Sequence, residues 1–163
     1  MDQSQVALKL MLESLNVPTT IARVEDRKTV QKAVYLGQVA GVDLGYRYNW
    51  YRMGPYSPGL TRDYFALAAA LNSGDSEPAG GYELRSPIRE RLAQLQPLLE
   101  APGSVTLSRA DWLELVASVH YLRTQRRMSA EQTLETLKRE KPHVVSFLGD
   151  AVSALQNGGL LAA

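Results

Sequence analysis

The residues best suited to proton transfer or metal ligation near neutral pH are the two histidines, His120 and His143. They stand apart in the sequence. His120 lies among Val119, Tyr121 and Leu122 with no second histidine at ligand spacing, which predicts a structural histidine. His143 follows Pro142 at a junction between helices, where capping is the expected role. The chain has no cysteine, so thiol catalysis, disulfides, zinc ribbons and thiolate-held iron–sulfur clusters are excluded. The acidic residues are scattered, and no pair is spaced as general acid and base. Serine-hydrolase, phosphate-loop and dinucleotide signatures are missing. The turn Gly54-Pro-Tyr-Ser-Pro-Gly59 does not serve as a phosphate loop, because its prolines remove amides such a loop would donate. These residues predict a chain with no catalytic centre, metal or cofactor.

Chemistry of another kind is concentrated between Gly45 and Arg62. This stretch holds Tyr46, Tyr48, Tyr51, Tyr56, Trp50 and the arginines Arg47, Arg52 and Arg62. Tyr, Trp and Arg dominate protein-binding hot spots because they combine contact area with a polar tip. Alternation in Tyr46-Arg-Tyr-Asn-Trp-Tyr-Arg52 is a strand signal and demands one inward face. With Tyr46, Tyr48 and Trp50 inward, the opposite face of Arg47, Asn49 and Tyr51 becomes the contact surface, continued by Arg52, Tyr56 and Arg62. A second concentration is cationic. Residues 120–141 carry Arg123, Arg126, Arg127, Lys138, Arg139 and Lys141 against Glu131, Glu135 and Glu140, a net charge of +3. Such a run is usually a solvated face; a weak patch for nucleic acid or an acidic partner is the sharper alternative.

The elements that must position these residues are mostly helices. A short amphipathic helix is expected from about Ser4 to Leu15, ended by Asn16-Val-Pro18. A second starts near Asp26 as cap and runs to about Ala40; its small residues Ala33, Gly37, Ala40 and Gly41 predict a tight helix crossing. Ser57-Pro58 opens a third, with Leu60, Tyr64, Leu67 and Leu71 on one side. A small-residue loop follows from Asn72 to Gly81, and Tyr82-Glu-Leu-Arg85 is expected to be the second strand of a ribbon. Ser86-Pro87 opens a helix to about Glu100, with Pro97 near its last turns. Ser108 caps the next, with Leu107 and Trp112 placed as a hydrophobic staple. Its Trp112, Leu113, Leu115, Val116, Val119 and Leu122 cover more than one face, which predicts the central buried helix. Ser129 and Gln132 form a capping box for a helix ending before Pro142, and a last helix spans Val144 to about Leu155.

Length and composition frame this reading. The 163 residues, net charge +1, 21% charged and 45% hydrophobic content suit one domain, 1–163, with a flexible tail from about 157. Near-neutral charge argues against a strongly basic nucleic-acid binder. The apolar run Val6 to Leu12 is short and interrupted by Lys9, so neither a targeting signal nor a membrane span is expected, and a cytoplasmic location follows. The fold class expected is mainly α (α+β), a helical domain with a small antiparallel ribbon, distantly winged-helix-like.

The turn brings a resemblance. Lys32-Ala-Val-Tyr-Leu36, a Tyr-rich strand and Met53-Gly-Pro-Tyr-Ser-Pro-Gly-Leu60 resemble the SocA-like (Panacea) antitoxin-domain group, and within it the YwgA-like bacterial proteins. Leu113-Glu-Leu-Val-Ala-Ser-Val-His-Tyr-Leu122 and Lys141-Pro-His143 fit the same pattern, so the resemblance runs from about residue 28 to 150. It implies an α-rich domain without catalytic residues. It also implies a protein partner: a cognate toxin neutralised by contact, or a toxin delivered to a bacterial protease system. Gly54, Pro55, Tyr56, Ser57 and Pro58 match the group's motif and are expected to shape the fold. The ending Leu160-Leu-Ala-Ala163 is similar to the Leu-Ala-Ala end of the bacterial ribosome-rescue degradation tag. The function expected is a non-enzymatic protein-interaction module of antitoxin or proteolytic-adapter type. The alternative is a winged-helix-like DNA-binding transcriptional regulator. Against that alternative, Arg62 is the one base near the start of the helix that would read DNA, and Ala66, Ala68, Ala69 and Ala70 offer no hydrogen bonds to bases or phosphates.

Overall fold

A computed structural model describes residues 1–74 and 81–163. Seven α-helices and a two-stranded antiparallel sheet are formed among them: α1 (Gln3–Ser14), α2 (Val24–Val39), β1 (Asn49–Tyr51), β2 (Gly54–Tyr56), α3 (Pro58–Asn72), α4 (Ser86–Leu95), α5 (Arg109–His120), α6 (Ala130–Glu140) and α7 (Leu148–Asn157). The mainly helical fold with a small ribbon is the class the sequence predicts. The loop expected over 72–81 lies largely outside the described residues.

At the centre α5 packs between α2 and α7, and α1 crosses α2 and α3. The central helix buries Trp112, Leu113, Leu115, Val116 and Val119 completely, as its all-round apolar sequence requires. Three of the expected caps are formed. Ser57 Oγ accepts from the Leu60 amide, Ser108 Oγ from that of Asp111, and Ser129 and Gln132 satisfy one another's amides. The small-residue face of α2 also behaves as expected. A Cβ at Gly37 would stand 3.0 Å from Met11 Cε, so α1 comes in close at that point.

Several boundaries differ from the sequence reading, among them the last helix, expected from Val144 but formed from Leu148 after a 3-10 turn, Val145–Phe147. α2 begins at Val24, with Arg23 as its cap; Asp26 sits in the first turn and accepts from the Arg23 amide at 3.1 Å. Asp26 is therefore the far half of the capping arrangement and not the cap itself. α4 likewise takes Ser86 inside the helix, and the stretch through Pro97 tightens into a 3-10 turn, Gln96–Leu99. The largest difference is the ribbon. β1 pairs with the turn segment that follows it, Asn49 with Tyr56, Trp50 with Pro55 and Tyr51 with Gly54, while 81–85 forms no strand. Gly54, at φ +93°, makes this hairpin possible.

Past α7 the Leu160 amide returns to the Leu155 carbonyl at 2.9 Å, and Leu160 and Leu161 pack half-buried against the core. No helix among the described residues is long and apolar enough to cross a membrane.

Candidate docking cleft and buried charge cluster

The Gly54–Pro58 motif is held in place from below by α2. Gln31 brackets Ser57, accepting from its amide and donating to its carbonyl, each at 2.9 Å. Lys32 Nζ donates to the Pro55 carbonyl at 2.6 Å. Gly54 lies so close to α5 that a Cβ there would stand 2.5 Å from Ser118 Oγ. Tyr56 and Thr61 join their hydroxyls at 2.6 Å across the first turn of α3. The motif is thus tied to α2 by Gln31 and Lys32, and to α5 by the close approach of Gly54.

Beneath this turn lies an ionic cluster that the sequence reading did not find. Glu114, 1% exposed, projects from α5 into the interface with α2. Its Oε1 accepts from Lys28 Nζ at 2.9 Å and its Oε2 from Lys141 Nζ at 2.8 Å. Lys28 also reaches Asp111 at 2.6 Å, and Lys141 donates to the Arg52 carbonyl at 2.8 Å under the Trp50 ring. Burial opposes charge on Lys28, but its hydrogen bonds to Asp111 and Glu114 outweigh it and raise its pKa. Glu114 is likewise lowered, its pairing with Lys141 and Lys28 outweighing burial. Lys32 differs. No carboxylate among the described residues lies within 4 Å of its ammonium, and burial lowers its pKa to about 7 despite the attraction of Glu114.

Two sequence expectations need correction here. Lys141 belongs to the predicted solvated cationic face, yet it is 1% exposed because Glu114 and the Arg52 carbonyl hold it inside. His143 was expected to cap; its half-exposed ring instead sits 3.4 Å from Glu114 Oε1. Asp111, Glu114 and His143 bring one ligand atom each within 4.8 Å of one another. The Lys28 ammonium, bonded to both carboxylates, already fills the cationic role there. His120 meets its expectation as a structural residue. It is buried, with Nδ1 2.7 Å from the Tyr35 hydroxyl, and burial lowers its pKa to about 4.

Above the cluster the ribbon shows the predicted alternation. Tyr46, Tyr48 and Trp50 pack half-buried on the core, while Arg47, Asn49, Tyr51 and Arg52 face solvent. Arg62 is exposed on α3, and Tyr56 is half-buried. Tyr56 stands in the wall of a cleft of about 310 Å³ between α2, the turn and α3, with Tyr51 packed edge-on against it at 5.1 Å. Val24, Arg27, Lys28, Lys32, Met53 and Phe65 line the same cleft. Five large apolar side chains are left exposed among the described residues: Val24, Tyr51, Met53, Phe65 and Tyr82. Three of them line this cleft and a fourth, Tyr51, leans on its wall.

The chain matches no family model, no curated protein and no solved structure.

Proposed function

We propose that this chain is a non-enzymatic protein-interaction module of antitoxin or proteolytic-adapter type, acting in the cytoplasm on a protein partner such as a cognate toxin. One observation carries the reading: of the five exposed large apolar side chains among the described residues, three line a single cleft beside the Tyr- and Arg-bearing ribbon and a fourth, Tyr51, packs on its wall. Scattered surface apolars need no explanation, but a rimmed cluster of them is what a protein partner covers. The rigid turn beneath, fixed by Gln31 and Lys32, presents that surface in a set shape, which reduces the ordering cost of association.

The test is paired capture from the source cell. Wild-type chain and a Tyr51→Ala, Arg52→Ala, Phe65→Ser variant are immobilised side by side, and their melting temperatures are compared. A protein held by the first and lost by the second, with melting temperatures nearly equal, supports the reading. Undiminished capture by the variant overturns the surface assignment. Salt-dependent, sequence-selective retention of duplex DNA in a mobility-shift titration would replace the protein partner with a nucleic-acid one.

A further inference from the structure

We propose that the cleft recognises an acidic, apolar segment of its partner, an Asp or Glu carboxylate directed at Arg27, Lys28 and Lys32 and flanked by aliphatic or aromatic side chains laid over Val24, Met53 and Phe65. The inference rests on the reading of the chain as a protein-interaction module and names what that module reads.

Charge is the first observation. The residues lining the cleft include three cations and no acid. Three carboxylates stand next to them, and each is engaged: Glu25 and Asp111 with Lys28, and Glu114 with Lys28 and Lys141. Lys28 and Lys141 take up all of these carboxylates, and none of them forms an ion pair with Lys32. The group left over is Lys32, whose hydrogen bond goes to a neutral carbonyl. An unpaired buried ammonium is costly, so a carboxylate delivered to this position gains more than it would at an exposed lysine.

Shape is the second. Phe65 lines both this cleft and a second one of about 500 Å³ between the Thr19–Ala22 loop and α3. The lining of the second cleft is uncharged, with Ile21, Ala68 and Leu71 among its residues. Phe65 is the wall common to the cationic cleft and the uncharged one, which sets a second apolar surface next to the first. This arrangement suits an extended peptide carrying one acidic position and apolar neighbours.

The experiment selects random dodecapeptides displayed on phage against the full-length chain. Enriched peptides are then synthesised and titrated by fluorescence anisotropy against wild type, Lys32→Met and Phe65→Ser. The expected result is a shared Asp or Glu beside Leu, Ile, Phe or Trp. Replacing that Asp by Asn, or Glu by Gln, in the peptide weakens binding about tenfold or more. This substitution leaves the protein untouched, so failure of a variant to fold cannot mimic it. At pH 8 binding also takes up protons, read by calorimetry in two buffers of different ionisation enthalpy, because the carboxylate restores the charge on Lys32. Peptides that lose binding with Phe65→Ser but are indifferent to loss of their acid overturn the acidic determinant and leave the interaction-module reading standing. Failure to enrich any peptide, or enrichment only of peptides indifferent to Phe65→Ser, overturns both.

Discussion

Glu114 and Gly54 show how much of this molecule turns on single side chains. Glu114 neutralises two buried ammonium groups at once, so Glu114→Gln leaves Lys28 with Asp111 and the more distant, exposed Glu25, and Lys141 with a carbonyl. Breaking a buried ion pair on one side is among the costlier substitutions. The expected loss is about 3–5 kcal/mol in urea denaturation, well beyond what loss of a surface pair would cause. Gly54 is constrained twice, by a positive φ and by Ser118 Oγ standing where a Cβ would go. Gly54→Ala adds backbone strain to a clash against a helix that has little room to yield, and should cost about 2–4 kcal/mol by the same measurement. The glycine of this turn was legible in the sequence as a breaker. The lysines beneath it were not, because Lys is read as a surface residue by default. The available signal was Glu114 itself, an acid among Trp112, Leu113, Leu115 and Val116 on a helix expected to be buried all round. A carboxylate in that position requires cations brought from elsewhere in the chain.

Among the elements, helices were legible where a cap and an apolar period agreed, as at Ser57, Ser108 and Ser129. The small-residue face of α2 was legible too, and it can be tested. Gly37→Ala meets only the flexible end of Met11 and gains helix propensity, so it should change stability by less than about 1 kcal/mol. Gly37→Ile must push α1 away and should cost about 1–3 kcal/mol, read from the shift in urea midpoint. The ribbon was half legible. Alternation placed Tyr46, Tyr48 and Trp50 correctly, but the partner strand was sought at Tyr82–Arg85. The true partner contains Gly54 and Pro55, residues that ordinarily argue against a strand. Pro55 is tolerated because the sheet has only two strands, both of them edges, and because its carbonyl faces Lys32. The cleft could not be read from the sequence at all, since Val24, Met53 and Phe65 come from three separate segments.

The molecule as a whole should respond to pH in two distinct windows. His120 has a folded pKa of about 4 against 6.5 in an exposed histidine. Between these values the unfolded chain binds a proton that the folded chain lacks, so the His120 penalty is absent above pH 6.5 and grows as pH drops toward 4. Lys32 acts in the same direction at higher pH. From about 7 up to its ordinary value of 10.5 the unfolded chain holds a proton that the folded chain has released, so stability rises with pH. Above about pH 10 the buried Tyr35 and Tyr48, whose ionisation burial opposes, reverse the trend. Thermal melts from pH 4 to 10 should therefore climb in two steps. Lys32→Met should flatten the upper step and His120→Gln reduce the slope of the lower. Equal slopes in wild type and Lys32→Met would show that its amine is charged and paired in the folded chain.

The ion cluster also has a history in time. Its members are far apart along the chain: Lys28 and Glu114 are separated by 86 positions, and Glu114 and Lys141 by 27. During synthesis Glu114 emerges with Lys28 already available, but the ammonium that locks Arg52 and underlies Trp50 arrives only when Lys141 leaves the ribosome. The ribbon that borders the cleft is thus tied down late. A nascent chain short of that residue carries the aromatic surface before the pairing that sets its shape, so the competence of that face waits on the synthesis of Lys141.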